Sequence, residues 1–351
     1  MNGFTGYVDR AGEMVVKPRY LAGAPFSEGL ACVNVGDPSE SKAGYIDSAG
    51  RMVIDPDFAW GEPFSEGLAA VSLGGDGNSC VYIDRTGAIA IPGPFSQTTN
   101  FHDGLASVGI TPRSPDGSYV PDLVGVIDTS GLYMVPPVYE SVDTFSEGLA
   151  AVLTGDGTLG YVDTSGHVVI APQFKAAWPF KNGLAVVSKS DRYGMIDRTG
   201  AWVIPAQFKD LTAFQDGLAA AQADDGRWGF IDTRGAWAVR PSYDYLGPLD
   251  DHGLRRVKEN GLWGLMDRSG RWVMTPRYGE IWDFTEGLAA AALPGTSPNT
   301  LGPYGFIDTT GKLVIPMQFS QVSAFQDGLA NVNRMDGTND IIDHTGASIL
   351  K

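Results

Sequence analysis

Apolar positions in this chain come in short runs separated by turn-forming residues. Gly44-Tyr45-Ile46-Asp47, Met52-Val53-Ile54 and Leu68-Ala69-Ala70-Val71 are typical. Such runs, rich in β-branched and aromatic residues and bounded by Gly, Pro, Asp or Ser, read as strands. No stretch keeps a 3.6-residue period over the roughly 11–12 residues of an ordinary helix. The runs recur in register. Aligned on an apolar residue followed by Asp-x-x-Gly, the chain shows aspartates at Asp9, Asp47, Asp84, Asp128, Asp163, Asp197, Asp232, Asp267, Asp308 and Asp343. Their spacings are 38, 37, 44, 35, 34, 35, 35, 41 and 35 residues, the period of solenoids and propellers.

Each of nine complete copies has a rigid internal layout. Eleven residues after the Asp stands an aromatic, as at Tyr20, Phe58 and Tyr139. Six further on comes Phe, with Leu249 the one exception, and then Gly-Leu, small residues and Val. The seventh copy inserts His252 before its Gly-Leu. Most length variation falls between that Leu and the next Asp. A fixed core with one elastic joint implies stacked units whose loops emerge on one face.

Turn chemistry explains the layout. Asp at the first position of a type I turn accepts nearby backbone N–H groups, and Gly supplies the left-handed residue after it. The second run of each copy reaches Pro, as at Pro56, which lacks a ladder donor and so closes the strand or marks an edge. The stretch from Tyr139 to Phe145 is a fourth strand or an irregular crossover. Ser-Glu-Gly-Leu is a further turn, with positive φ expected at Gly. A unit of this size cannot bury two faces alone and must stack on its neighbours. The expectation is an all-β array forming one repeat domain over residues 1–351. Units begin near residues 4, 43, 80, 124, 159, 193, 228, 263 and 304, with a partial hairpin at 339–351. Because the last copy brings its own hairpin, an open twisted β-solenoid is favoured, and a closed β-propeller is the alternative.

The pattern resembles the WG-repeat family, named for a Trp-Gly pair that opens each unit. The pair is intact at Trp228-Gly229 and Trp263-Gly264, and relaxed in Gly44-Tyr45-Ile46-Asp47 and Gly305-Phe306-Ile307-Asp308. The resemblance covers essentially the whole chain and implies a tandem β fold. It implies little about activity, because the family is defined by its repeat.

Composition narrows the partners. The formal charge of −16 argues against wrapping nucleic acid or docking on anionic lipid. Cys32 and Cys80 are the only cysteines, so no disulfide framework and no metal cluster is expected. Met1 to Pro18 contains no secretory leader pattern and no run reaches membrane-span length, so the default expectation is the cytoplasm.

Several features invite a functional reading beside a structural one. The ten aspartates are a row of cation sites or simply turn residues. A second acidic row before Gly-Leu (Glu28, Glu66, Asp103, Glu147, Asp216, Asp251, Glu286, Asp327) is a solvated set of turns or a face that steers a basic partner. Trp202, Trp237 and Trp272 share one position in consecutive copies, as an inter-repeat packing stripe or an exposed aromatic row. Trp60, Trp178 and Trp282 lie in the more variable segment before the Phe and are candidate binding residues. The seventh copy departs most: it adds His252 and carries Arg255 and Arg256 where others have small residues. These arginines pair with neighbouring carboxylates or hold an anionic group. Long joints at Thr111–Leu123 and Pro294–Pro303 are candidate recognition loops. No phosphate loop, dinucleotide fingerprint, nucleophile elbow or zinc spacing occurs, and the four histidines occupy different places in the repeat. The expected function is a non-catalytic scaffold for a protein or peptide, with no cofactor and no metal. A carbohydrate- or small-ligand-binding module is the alternative, and a hydrolase with a composite carboxylate pocket comes third.

Overall fold

The computed structural model describes residues 3–9, 11–74, 79–112, 121–297 and 300–350. Among these the chain is strand and turn, with no helix, and hence no helix long and apolar enough to cross a membrane. It packs as two compact units. The first holds residues 1–183 and 198–200, and the second 184–197 and 201–351. The candidate loops fall partly outside the described residues, at 113–120 and 298–299.

In the first unit, β1 (Thr5–Val8) and β2 (Met14–Tyr20) form a two-stranded antiparallel sheet. Next, β3 (Ala22–Gly23), β4 (Leu30–Val35), β5 (Lys42–Asp47) and β6 (Met52–Phe58) make a four-stranded antiparallel meander. The same meander recurs as sheet 3 (60–95), sheet 4 (97–139) and sheet 5 (141–174). In the second unit, strands Leu184–Lys189, Arg192–Asp197 and Trp202–Phe208 precede sheet 7 (210–243), sheet 8 (245–278) and a six-stranded sheet 9 (280–343). The stretch from aromatic to Phe therefore contains a strand, two residues long in most copies.

Sheets and sequence copies are out of phase. Each four-stranded sheet takes the last two strands of one copy and the first two of the next. The chain changes sheet just after the aromatic: β6 ends at Phe58 and sheet 3 starts at Trp60. The elastic joint consequently lies inside a sheet, as the hairpin loop between β4 and β5, and not between stacked units. Its length can vary because the flanking strands stay in register, from Leu30 opposite Asp47 to Val35 opposite Lys42.

Alternation along β4 and β5 sends side chains to two cores. Ala31, Val33 and Ile46 pack with Val16 and Tyr20 of the first sheet. Cys32, Tyr45, Ile54 and Phe58 pack with Phe64, Ala69, Val71, Val81 and Ile83 of sheet 3. Both faces of this sheet are buried by neighbours, so its two cores are shared with the sheets on either side. Each fully buried Val, Ile or Phe contributes about 1.5–3 kcal/mol. The repeated glycine of the Trp-Gly position has a steric cause. The register between β5 and β6 shifts on both sides of Tyr45, and a Cβ on Gly44 would lie 2.7 Å from the Ile54 carbonyl oxygen. Gly125, Gly160, Gly229 and Gly305 meet the same obstruction at 2.5–2.6 Å. Gly is thus the residue that lets the bulged strand approach.

Candidate functional site

The aspartate ladder is built from turns. Asp47 Oδ1 accepts the N–H groups of Ala49 and Arg51, each at 2.9 Å. The Arg51 backbone and side chain hold the Asp47 carboxyl below its ordinary range. Thr86, Ser130, Ser165 and Ser269 do the same for Asp84, Asp128, Asp163 and Asp267 by donating a hydroxyl. In the fifth copy Ser165 Oγ also lies 2.6 Å from His167 Nδ1. Ser165 makes the ordinary turn contact, with an exposed histidine added. Among the described residues no group of three or more His, Cys, Asp or Glu is arranged to hold a metal. Cys32 and Cys80 are buried, and burial pushes the Cys32 thiol up to about 11, which makes it a poor nucleophile at neutral pH.

The second acidic row is more than a solvated face. Ser27 and Leu30 exchange backbone hydrogen bonds of 2.9 and 3.0 Å around Glu28 and Gly29. Glu28 (φ 51°) and Gly29 (φ 83°) are both left-handed, which makes a type I′ hairpin turn. Positive φ therefore extends to the acidic residue as well as the glycine. The turn then reaches into the next sheet. Ser27 Oγ donates to the Phe64 carbonyl at 2.6 Å, and Glu28 Oε2 accepts the Gly67 N–H at 3.0 Å. Ser65 and Glu66 bond in the same way to Phe101 and Gly104 (2.7 and 2.9 Å). Ser146 and Glu147 do so to Phe180 and Gly183 (2.7 and 2.9 Å).

A third stitch joins the same seams of the first unit. The residue two before the turn Asp is Tyr7, Tyr45, Tyr82 or Tyr161. Each hydroxyl donates to a carbonyl seventeen residues on, at Ala24, Glu62, Thr99 and Trp178, over 2.7–2.9 Å. Each ring also packs on the Phe of the next sheet at 4.9–5.0 Å, pairing with Phe26, Phe64, Phe101 and Phe180.

At the seam between sheets 4 and 5 all three stitches are replaced. Val126 stands for the tyrosine, His102 for the serine and Asp103 for the glutamate. Asp103 carries one methylene fewer, and its carboxylate lies 3.3 Å from His102 Nδ1 instead. Val126 brings no ring to Phe145, which is only half-buried, whereas Phe64, Phe101 and Phe180 are buried. The seam opens into a crevice of about 430 Å³. Val126 and Phe145 lie among its apolar residues, and Asp103, Glu140 and Asp143 line it with carboxylates. The sequence carries the signal in the residue two before the turn Asp, a column that was not singled out above.

The seventh copy behaves differently at its two arginines, which adjacent positions on one strand send to opposite faces. Arg256 faces forward. It donates to the Ile281 carbonyl at 2.8 Å, pairs with Asp283 at 2.6 Å and lies over the Trp263 ring at 5.9 Å. Its cross-strand partner is Leu265, which occupies the tyrosine position. Arg256 therefore supplies the inter-sheet donor that Leu265 cannot, beside a residual cavity of about 120 Å³. Arg255 faces back onto Phe230, its guanidinium 5.0 Å from the ring centre. His252 is exposed at a turn, 3.8 Å from Asp250 and 5.9 Å from the Phe284 ring.

The tryptophans divide. Trp237 and Trp272 pack edge-on against Phe208 and Tyr243 of the preceding sheet, at 5.4 and 5.9 Å, while Trp202 is exposed. Trp60 packs on the core between sheets 3 and 4. Trp282 packs on a core within sheet 9 and 6.0 Å from Tyr304. Trp178 is exposed, and its backbone carbonyl receives Tyr161. Of the six candidate binding residues, His252, Arg255 and Arg256 share the seventh copy, and Trp60, Trp178 and Trp282 lie in three other copies. Of the crevice residues, Asp103 belongs to the acidic row, whereas Val126, Glu140 and Asp143 were not proposed.

Comparisons with known proteins concern fold and repeat. Similar solved structures include one titled as the eukaryotic initiation factor, at 15% identity and a TM-score of 0.41, covering 92% of this chain and 96% of that one. BamB from Moraxella catarrhalis follows at 15% identity and TM-score 0.33, covering 72% and 86%. The WD40 β-propeller domain of Doa1 is at 14% identity and TM-score 0.27, covering 79% and 89%. Likenesses this distant carry no functional argument. No curated protein matches the sequence. The profile of the WG containing repeat matches nine segments: 6–37, 44–75, 82–110, 125–157, 160–193, 193–226, 228–263, 263–293 and 304–337. With nine matched copies spanning most of its length, this chain belongs to the WG-repeat family.

Proposed function

We propose that the protein is a non-catalytic scaffold that binds a protein or peptide, and that the open seam between sheets 4 and 5 is where a partner enters. One observation carries this reading. The first unit is stitched by Tyr, Ser and Glu at seam after seam, and one seam has lost all three together while keeping its flanking strands in register. A gap left at one joint of the first unit is a receptive surface. Its apolar residues, Val126 and Phe145, suit an aliphatic stem. Its carboxylates suit a Lys or Arg head group, and the net charge of −16 draws a basic partner toward it. The inward packing of Trp237 and Trp272 removes two members of the aromatic row that a glycan-binding reading would use.

The test is Val126→Tyr, which rebuilds the neighbouring stitch inside the crevice. Partners recovered on the unmodified chain are compared with those on the Val126→Tyr chain, and a Lys-rich peptide is titrated against both. Partners and peptide are expected to bind the unmodified chain and to be lost, by tenfold or more in affinity, on the substituted one. Equal recovery and equal peptide affinity would remove the crevice from the binding surface.

A further inference from the structure

The position after Gly-Leu is alanine at Ala31, Ala69, Ala106, Ala150, Ala185, Ala219, Ala289 and Ala330, and arginine only at Arg255. Each of these alanines is at most 2% exposed, so the site is a core position facing the preceding sheet. Arg255 keeps the burial, at 6% exposure. Its cross-strand neighbour is Met266, and its guanidinium carbon lies over the Phe230 ring, 5.0 Å from the centre. Its Nε–H is buried and has no hydrogen-bond partner. Arg256 next to it has both a carbonyl and a carboxylate.

A guanidinium in this state is anomalous. Buried charges in folded proteins are paired, because an uncompensated one loses hydration without regaining it. Desolvation alone lowers the Arg255 pKa, with no opposing carboxylate to restore it. Replacing Arg255 by the alanine of the other copies would abolish that cost. A residue that weakens the fold is the mark of a site held ready for something else. The Phe230 ring, 5.0 Å from the guanidinium carbon, offers no hydrogen-bond acceptor to its N–H edge. That edge is a planar fork, which matches a carboxylate bidentately.

We propose that Arg255, backed by Phe230, is an anion-binding point that takes a carboxylate from a ligand or partner. This site is independent of the crevice in the first unit and stands or falls separately. Burial at 6% exposure restricts the side chain in advance, which lowers the cost of ordering it around an anion.

The experiment follows the Arg255 Nε–Hε resonance of the full chain. Acetate and inorganic phosphate are titrated at ionic strength held constant with chloride. A peptide ending in a free carboxylate and the same peptide amidated form a second pair. Thermal midpoints of the unmodified chain, Arg255→Ala and Arg255→Lys are measured in parallel. Acetate is expected to move the resonance saturably and to raise the midpoint of the unmodified chain alone. Arg255→Lys, which keeps the charge and loses the fork, is expected to bind acetate at least tenfold more weakly. Arg255→Ala without ligand is expected to melt about 2–4 °C higher than the unmodified chain. A response to the carboxylate peptide and not to its amide assigns the site to a chain terminus. A response to acetate alone assigns it to a small carboxylate. If phosphate binds and acetate does not, the carboxylate assignment is overturned. If neither anion moves the resonance, or if Arg255→Ala melts lower, the site itself is overturned.

Discussion

Val126→Tyr should stabilise the first unit, and its size can be worked from the seams on either side. Val126 faces Ser107 across the strand, and the corresponding partners of Tyr45, Tyr82 and Tyr161 are Cys32, Ala70 and Ala151. The new ring therefore meets a small neighbour and extends from a buried Val126 toward the crevice it lines. Its hydroxyl, placed as at Tyr82 and Tyr161, would find the carbonyl of Asp143 seventeen residues on, in a bond contributing about 0.5–1.5 kcal/mol. The edge-on contact with Phe145 adds about 0.5–1.5 kcal/mol. Roughly 50 Å² of further apolar burial adds about 1 kcal/mol. Ordering the longer side chain offsets about 1 kcal/mol of this. The balance is about 1–3 kcal/mol in favour of the variant, a rise in the melting transition of roughly 2–12 °C for a unit of this size. Urea unfolding followed by tyrosine fluorescence and by calorimetry measures it, with the denaturant slope expected to stay unchanged. A midpoint that stays put or falls would show that the crevice is not a vacant copy of the tyrosine site. The comparison with neighbouring seams would then be wrong.

The reciprocal change, Tyr161→Phe, removes the hydroxyl donated to the Trp178 carbonyl and should lower stability by about 1 kcal/mol, read in the same urea transition. Gly67→Ala places a side chain at φ +81° where no atom lies within 4 Å. The penalty is then purely conformational, about 1–2 kcal/mol, and a near-zero change would contradict the left-handed turn. Glu147→Ala frees the Asn182 and Gly183 N–H groups, so their amide protons should exchange faster while those of β4 keep their protection. The turn carboxylates at Asp47, Asp84, Asp163, Asp232 and Asp343 have folded pKa values below their ordinary range. Depressed values mean that the unfolded chain takes up protons first, so their contribution is complete above the ordinary carboxylate pKa of about 3.9. It is lost as pH falls below that value and through the lower folded one. Calorimetric midpoints should be level from pH 7 to 5 and fall steeply below about 4. A midpoint unchanged down to pH 3 would refute the turn bonding.

Much of the fold is legible in the chain order alone. The ten Asp-x-x-Gly turns, the aromatic eleven residues on and the Gly-Leu that follows locate nearly every strand, because turns and strand alternation are local physics. The aspartate row was readable as a set of turns for the same reason. The phase of the sheets was not. Whether Gly44-Tyr45 opens a sheet or lies third within one depends on which strand pairs with β4, and pairing is a contact between residues distant in sequence. The role of Glu28 was hidden in the same way. Its carboxylate bonds Gly67, thirty-nine residues on, and a turn residue by itself does not reveal its acceptor role in another turn. Arg255 and Arg256 show the limit most directly. The two are adjacent and chemically identical, and local sequence treats them alike. Strand alternation puts one against Asp283 and the Ile281 carbonyl and the other against a phenylalanine with nothing to bond its Nε–H. Local propensity determines where the chain turns and which residues are strand. The packing of one sheet on the next decides which charges are satisfied and which seam stays open, since those energies depend on neighbours supplied by another copy.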